Sequence, residues 1–159
     1  MNVSVGKENL VNIQEINKIH FVHNYLDKGW KAYIQNSRGS SDGAKSKRRR
    51  IILKSKDVAS QIVIPDGVYH KAGYGINKID EDWVKENRKL VCIYSFLHNT
   101  LRKGWMIQKQ KERAEMEDSP FYGTYCFSKP HNNQVKYLSQ SYLHKFVEDN
   151  VNDELIECF

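Results

Sequence analysis

Eight residues of this chain are written nearly twice: His-Asn-Tyr-Leu-Asp-Lys-Gly-Trp at 23–30 and His-Asn-Thr-Leu-Arg-Lys-Gly-Trp at 98–105, six of the eight identical and offset by 75 positions. The echo constrains the fold because each copy closes an apolar stripe. Before Gly104, apolar residues fall at Leu90, Tyr94, Leu97 and Leu101, the spacing of one helical face. Before Gly29, Ile16, Ile19, Val22 or His23, and Leu26 do the same. Asp80 or Asp82 can cap the second helix, and Arg102 and Lys103 suit the negative end of its dipole. A glycine just past the last periodic residue is the usual helix stop, because it adopts positive φ without cost. The tryptophan after it can fold back onto the last turn. Both copies therefore predict a long helix, over 8–28 and over 80–103, that stops sharply at Gly-Trp.

The stretch after each tryptophan also matches. The runs 30–36 and 105–111 alternate as short strands, polar loops come next, and second strand-like runs lie at 49–56 and 121–129. The first unit continues into a strand pair around the turn signature Pro65-Asp66-Gly67. The second continues into a helix over 136–150, with Tyr137, Leu138, Tyr142 or Ser141, Leu143 and Phe146 on one face. The expected fold is α+β: two tandem helix–Gly-Trp–β-hairpin units, one or more antiparallel sheets packed against the long helices, and a C-terminal helix. The units would be residues 1–75 and 76–159, or one joint compact domain. The offset exceeds the period of solenoid repeats, so two modules are expected rather than an array.

Composition narrows the class. The chain has 159 residues, of which 40% are hydrophobic and 28% charged, so a folded core is expected. No apolar run is long enough to span a membrane, and the N-terminus lacks the basic start and apolar block of a secretory signal. Cys92, Cys126 and Cys158 make an odd count without a close pair, which predicts a reducing, intracellular setting and no zinc site.

The residues Leu97, Gly104, Trp105, Ile107, Tyr125, Phe127, Lys129, His131, Tyr142, Leu143 and Phe146 form a pattern of helix, Lys-Gly-Trp-x-Ile, Tyr-x-Phe-x-Lys-x-His and final helix. Over about residues 90–150 it resembles small proteins of nucleocytoplasmic large DNA viruses. The resemblance implies a viral origin, with residence in the host cytoplasm or nucleus or in the virion. It implies no activity. The first unit departs from it, with an arginine-rich strand where the aromatics would be.

Charge supplies the functional reading. From Arg38 to Lys56 there are eight basic residues (Arg38, Lys45, Lys47, Arg48, Arg49, Arg50, Lys54 and Lys56) and one acidic residue, a local +7 in a chain of net +6. The rest sums to −1, with an acidic C-terminal end. Clustered arginines on a Gly/Ser-rich loop leading into a strand can track phosphates. Nucleic acid is the first reading of this segment. An anionic protein or another virion component is the second, and a solvated edge strand protected by charge is the third.

Other constellations carry less. Tyr122, Tyr125 and Phe127 beside Lys129 and His131 could stack bases, but the same alternation describes a half-buried strand, which is favoured. His20 and His23 share a helical face, and His98 echoes His23, but no carboxylate or cysteine completes a known ligand spacing. Cys92 falls on the apolar helical face and Cys126 alternates between aromatics, so neither reads as a nucleophile. No hydrolase, P-loop, zinc-protease or dinucleotide motif occurs, so the expectation is a non-enzymatic protein without cofactor, short of an active site assembled from distant residues.

Overall fold

The computed structural model describes residues 6–9, 13–37, 48–65, 79–110, 123–152 and 155–158. Its two central helices, α1 (Ile13–Leu26) and α3 (Arg88–Arg102), end in the same way. Gly29 and Gly104 have φ of +88° and +96°. The Gly29 amide donates to the Leu26 carbonyl and the Trp30 amide to the Tyr25 carbonyl, both at 3.0 Å. At the second copy, Gly104 donates to Leu101 at 3.0 Å and Trp105 to Thr100 at 3.4 Å. This pair of bonds is a Schellman ending, and it satisfies carbonyls that a helix terminus leaves without partners.

Each ending releases the chain into a strand. After Trp30 come β2 (Lys31–Ser37), β3 (Arg48–Lys54) and β4 (Ile62–Pro65). After Trp105 come β5 (Met106–Gln110), β6 (Thr124–Lys129) and β7 (Gln134–Leu138). All six form one antiparallel sheet, in the order β4-β3-β2-β5-β6-β7, and with the helices they make an α+β fold. That order is symmetric about the β2–β5 pair, where Ala32 lies opposite Ile107. Those two residues are 75 apart, the offset of the sequence echo. Glu15 of α1 reaches His98 of α3, and His20 reaches Tyr94, so the two helices run antiparallel. The segments α1-β2-β3-β4 and α3-β5-β6-β7 thus have the same element order, one on either side of the β2–β5 pair.

One face of the sheet is the core face. Ala32, Ile51, Leu53, Ile64, Ile107, Tyr125, Phe127 and Leu138 all point there and are buried against the helices. The alternate positions, among them Lys31, Tyr33, Lys54, Gln108, Cys126 and Tyr137, lie on the opposite face by register. Helix α3 is covered on every side. Its residues Val91 to Leu101 are all buried, because the sheet, α1, α4 (Gln140–Asn150) and the strand β8 (Leu155–Cys158) surround it. Strand β8 pairs with β1 (Gly6–Asn9) in a separate two-stranded ribbon, and Ile156 seals the core from that side.

Several expectations change. Residues 6–9 form β1 rather than the start of α1, which begins at Ile13. The second helix is broken into α2 (Glu81–Glu86) and α3 at Asn87, with Asp80 as the cap, its carboxylate accepting from the Trp83 amide at 2.8 Å. Tyr137 and Leu138 belong to β7, a third strand of the second half, and α4 starts after Ser139, whose hydroxyl caps it. The boundary expected at residues 75 and 76 and the second strand after Pro65 lie outside the described residues.

Candidate functional site

The basic segment lands on β3. Arg48, Arg49 and Arg50 open that strand, Lys54 ends it and Lys56 follows in an exposed bend, while Arg38, Lys45 and Lys47 lie outside the described residues. Strand β3 is not an edge: it is hydrogen-bonded to β2 and β4 on its two sides. The edge-strand reading is therefore corrected, and the register decides where each cation goes. Arg50 faces away from the helices, opposite Gln35, whose side-chain oxygen accepts from its guanidinium at 3.0 Å. Lys54 is on the same face, directly opposite Lys31, with its ammonium 5.8 Å from the Tyr33 ring centroid. Arg49 alternates to the helix side.

On the helix side Arg49 meets residues that the sequence does not connect to it. A cavity of about 490 Å³ opens between α1, α3 and strands β2 to β4. Lys18, Arg49 and Arg102 line it as cations with Arg50 adjoining, and Ile34, Ile51, Ile64 and Leu101 supply apolar wall. Glu15 is the one carboxylate of the lining, and it lies 3.6 Å from Nε2 of the buried His98. Arg49 and Arg102 are exposed, and among the described residues neither forms an ion pair.

The symmetric position in the other half holds a closed polar network. His23, the echo of His98, is fully buried. Its Nδ1 lies 3.3 Å from Asp27, and its Nε2 is hydrogen-bonded to the Tyr125 hydroxyl. Lys109, itself buried, donates to Asp27 at 2.6 Å. Burial lowers the His23 pKa and outweighs the pull of Asp27, so the ring is neutral. Burial pushes the Tyr125 hydroxyl well above its ordinary range, so it keeps its proton and donates to Nε2, which leaves the ring proton on Nδ1 for Asp27. Burial alone would raise the Asp27 carboxyl; the His23 hydrogen bond, with the hydrogen bond and charge of Lys109, overcomes it and holds the group at about 2. Lys109, Asp27 and Tyr125 correspond by the 75-residue offset and the sheet register to Ile34, Arg102 and Ile51. One half thus neutralises its own buried cation, and the other replaces the carboxylate with an arginine and leaves a cavity.

The remaining candidates divide between core and surface. Tyr125 and Phe127 are buried on the core face, so they do not stack bases; Tyr122 is outside the described residues. Among the described residues the exposed aromatics are Tyr137 and Tyr142. Lys129 and Lys136 lie 4.9 and 5.9 Å from the ring centroid of the buried Trp105, which occupies their charges structurally. His20 shares a hydrogen bond of 2.9 Å with the Tyr94 hydroxyl, and among the described residues no group of three His, Cys, Asp or Glu side chains could hold a metal. Cys92 is a buried free thiol and Cys126 a half-buried one. No helix among the described residues is long and apolar enough to cross a membrane. Sequence reading missed Lys18, His98 and Arg102 as site residues; the echo, which puts arginine where the first copy has Asp27, is the signal that singles out Arg102.

No protein-family model, no curated protein and no solved structure matches the chain.

Proposed function

We propose that the chain is a non-enzymatic nucleic-acid-binding accessory protein, viral as its resemblance implies, whose contact surface centres on β3. The observation that carries this reading is the Lys31–Lys54 pair. Like charges directly opposite one another on neighbouring strands repel. Here they stand on the sheet face turned away from the helices, with Arg50 on the same face two rows on. A phosphate backbone laid across β2 and β3 relieves that repulsion and releases its own counterions. Tyr33 between these cations offers a ring for a base or sugar to pack on.

The test is the salt dependence of binding to single-stranded and duplex DNA. The Lys31→Ala, Lys54→Ala double variant should weaken binding similarly for every sequence, since phosphate contacts carry no base information. Its slope of log affinity against log salt should flatten by about 0.7 to 0.9 for each phosphate contact removed. Lys85→Ala, on the exposed face of α2, serves as control. No salt-dependent binding by the wild type, or an unchanged slope in the double variant, would overturn the assignment.

A further inference from the structure

We propose that the cavity between α1, α3 and β2 to β4 is a binding site for a phosphate monoester, either a free mononucleotide or the phosphorylated end of a nucleic-acid strand. The strand-end form rests on the nucleic-acid reading above; the mononucleotide form does not.

Three features of the cavity converge on this ligand class. The first is charge. Lys18, Arg49 and Arg102 share the lining with one carboxylate, Glu15, which also serves His98. The matching place in the other half shows what a self-sufficient version looks like: there Asp27 sits 2.6 Å from Lys109 and neutralises it. Arg102 stands where that carboxylate would be, and among the described residues no carboxylate pairs with Arg49 or Arg102.

The second feature is the valence of that anion. A phosphate monoester carries about −1.5 to −2 charges at neutral pH and three terminal oxygens. Guanidinium groups bind such oxygens in pairs, and Arg49 from the sheet and Arg102 from the helix end approach from two different elements. A diester inside a duplex has one charge and two terminal oxygens, a poorer match to two guanidinium groups.

The third feature is the wall. Ile34, Ile51, Ile64 and Leu101 give the cavity an apolar side adjoining the cations, fitted to a base or sugar attached to the phosphate. The volume of about 490 Å³ lies within the range of about 300 to 1,000 Å³ typical of small-ligand pockets.

The experiment compares adenosine 5′-monophosphate with adenosine, and one single-stranded DNA with and without a 5′-phosphate, using titration calorimetry or fluorescence. The phosphorylated member of at least one pair should bind about tenfold tighter or more, the effect of charged hydrogen bonds to a phosphate. Arg49→Gln and Arg102→Gln should each remove most of that preference, and Lys103→Gln, an exposed cation just outside the lining, should leave it intact. Preference confined to the mononucleotide pair supports a free-nucleotide site, and preference in the strand pair supports a strand-end site. If neither strand binds while the monophosphate still does, the cavity assignment stands and the nucleic-acid reading falls. Absence of preference in both pairs overturns the proposal, as does preference that survives both arginine substitutions. Should one arginine variant unfold, the other, compared with Lys103→Gln, still decides.

Discussion

Two histidines of α1 and the carboxylate of Asp27 shape how the stability of the protein responds to pH. Burial holds His20 and His23 below the ordinary histidine value of 6.5. The unfolded chain therefore binds more protons than the folded one as pH falls below about 6.5, and stability declines there. Asp27 works in a second window. Its folded value of about 2 lies below its ordinary 3.8, so its contribution is complete above about 3.8 and is lost as pH falls toward 2, on the order of 2 kcal/mol. Thermal unfolding from pH 8 to pH 3 should show a decline that begins near 6.5 and a steeper one below 4. In His23→Gln the first decline should shrink, because one of its two titrating rings is gone; an unchanged decline would place the titration elsewhere. At this scale the sequence was partly legible. His23 and His98 were visible as an echo, but their opposite surroundings were not, since Tyr125, Lys109, Arg49 and Ile34 come from strands distant in the chain.

At the scale of elements, the Gly-Trp endings were the most legible part, because a Schellman stop is written locally in a stripe of apolar residues, a glycine and a tryptophan. Nothing lies within 4 Å of a Cβ built on Gly29 or Gly104, so their requirement is conformational rather than steric. Gly29→Val and Gly104→Val should each cost about 1 to 3 kcal/mol, since a β-branched residue resists positive φ. Urea midpoints would measure this, and unchanged values would show that the endings tolerate another backbone. Where elements depend on partners, local reading failed. Strand β1 is the polar Gly-Lys-Glu-Asn and is held by pairing with β8. Leu138 belongs to β7 because it lies opposite Tyr125, although its spacing also fits the helix after it. The apolar stripe of α3 understates its burial, because a helix enclosed on every side must also bury Ser95, His98, Asn99 and Thr100. Those polar groups are placed by tertiary contact, which hydrophobic periodicity does not record.

Among the described residues a helix followed by three strands occurs on either side of the β2–β5 pair, and the two sides differ in a few side chains around His23 and His98. Ala32 and Ile107, separated by the same 75 residues as the echoed segments, lie opposite one another at the centre of the sheet. The cavity is not readable in the same way, because it arises from a difference between equivalent places rather than from a motif. That difference can be tested by transplanting one half's chemistry into the other. Ile34→Lys places an ammonium at the position equivalent to Lys109, inside a lining already rich in cations. Alone it should destabilise by about 1 to 3 kcal/mol, the cost of a half-buried cation without an anion. Arg102→Asp restores the carboxylate that Asp27 provides in the other half, next to His98 as Asp27 is next to His23. The double variant should recover at least half of the loss, with a coupling energy of about 1 to 3 kcal/mol in a double-mutant cycle. It should also abolish any preference for a phosphate monoester, because the chain would then supply the anion itself. Additive effects in urea unfolding would mean that the two introduced side chains do not meet in the way that Lys109 and Asp27 do, and that the two halves share their backbone course without sharing the geometry of their interiors.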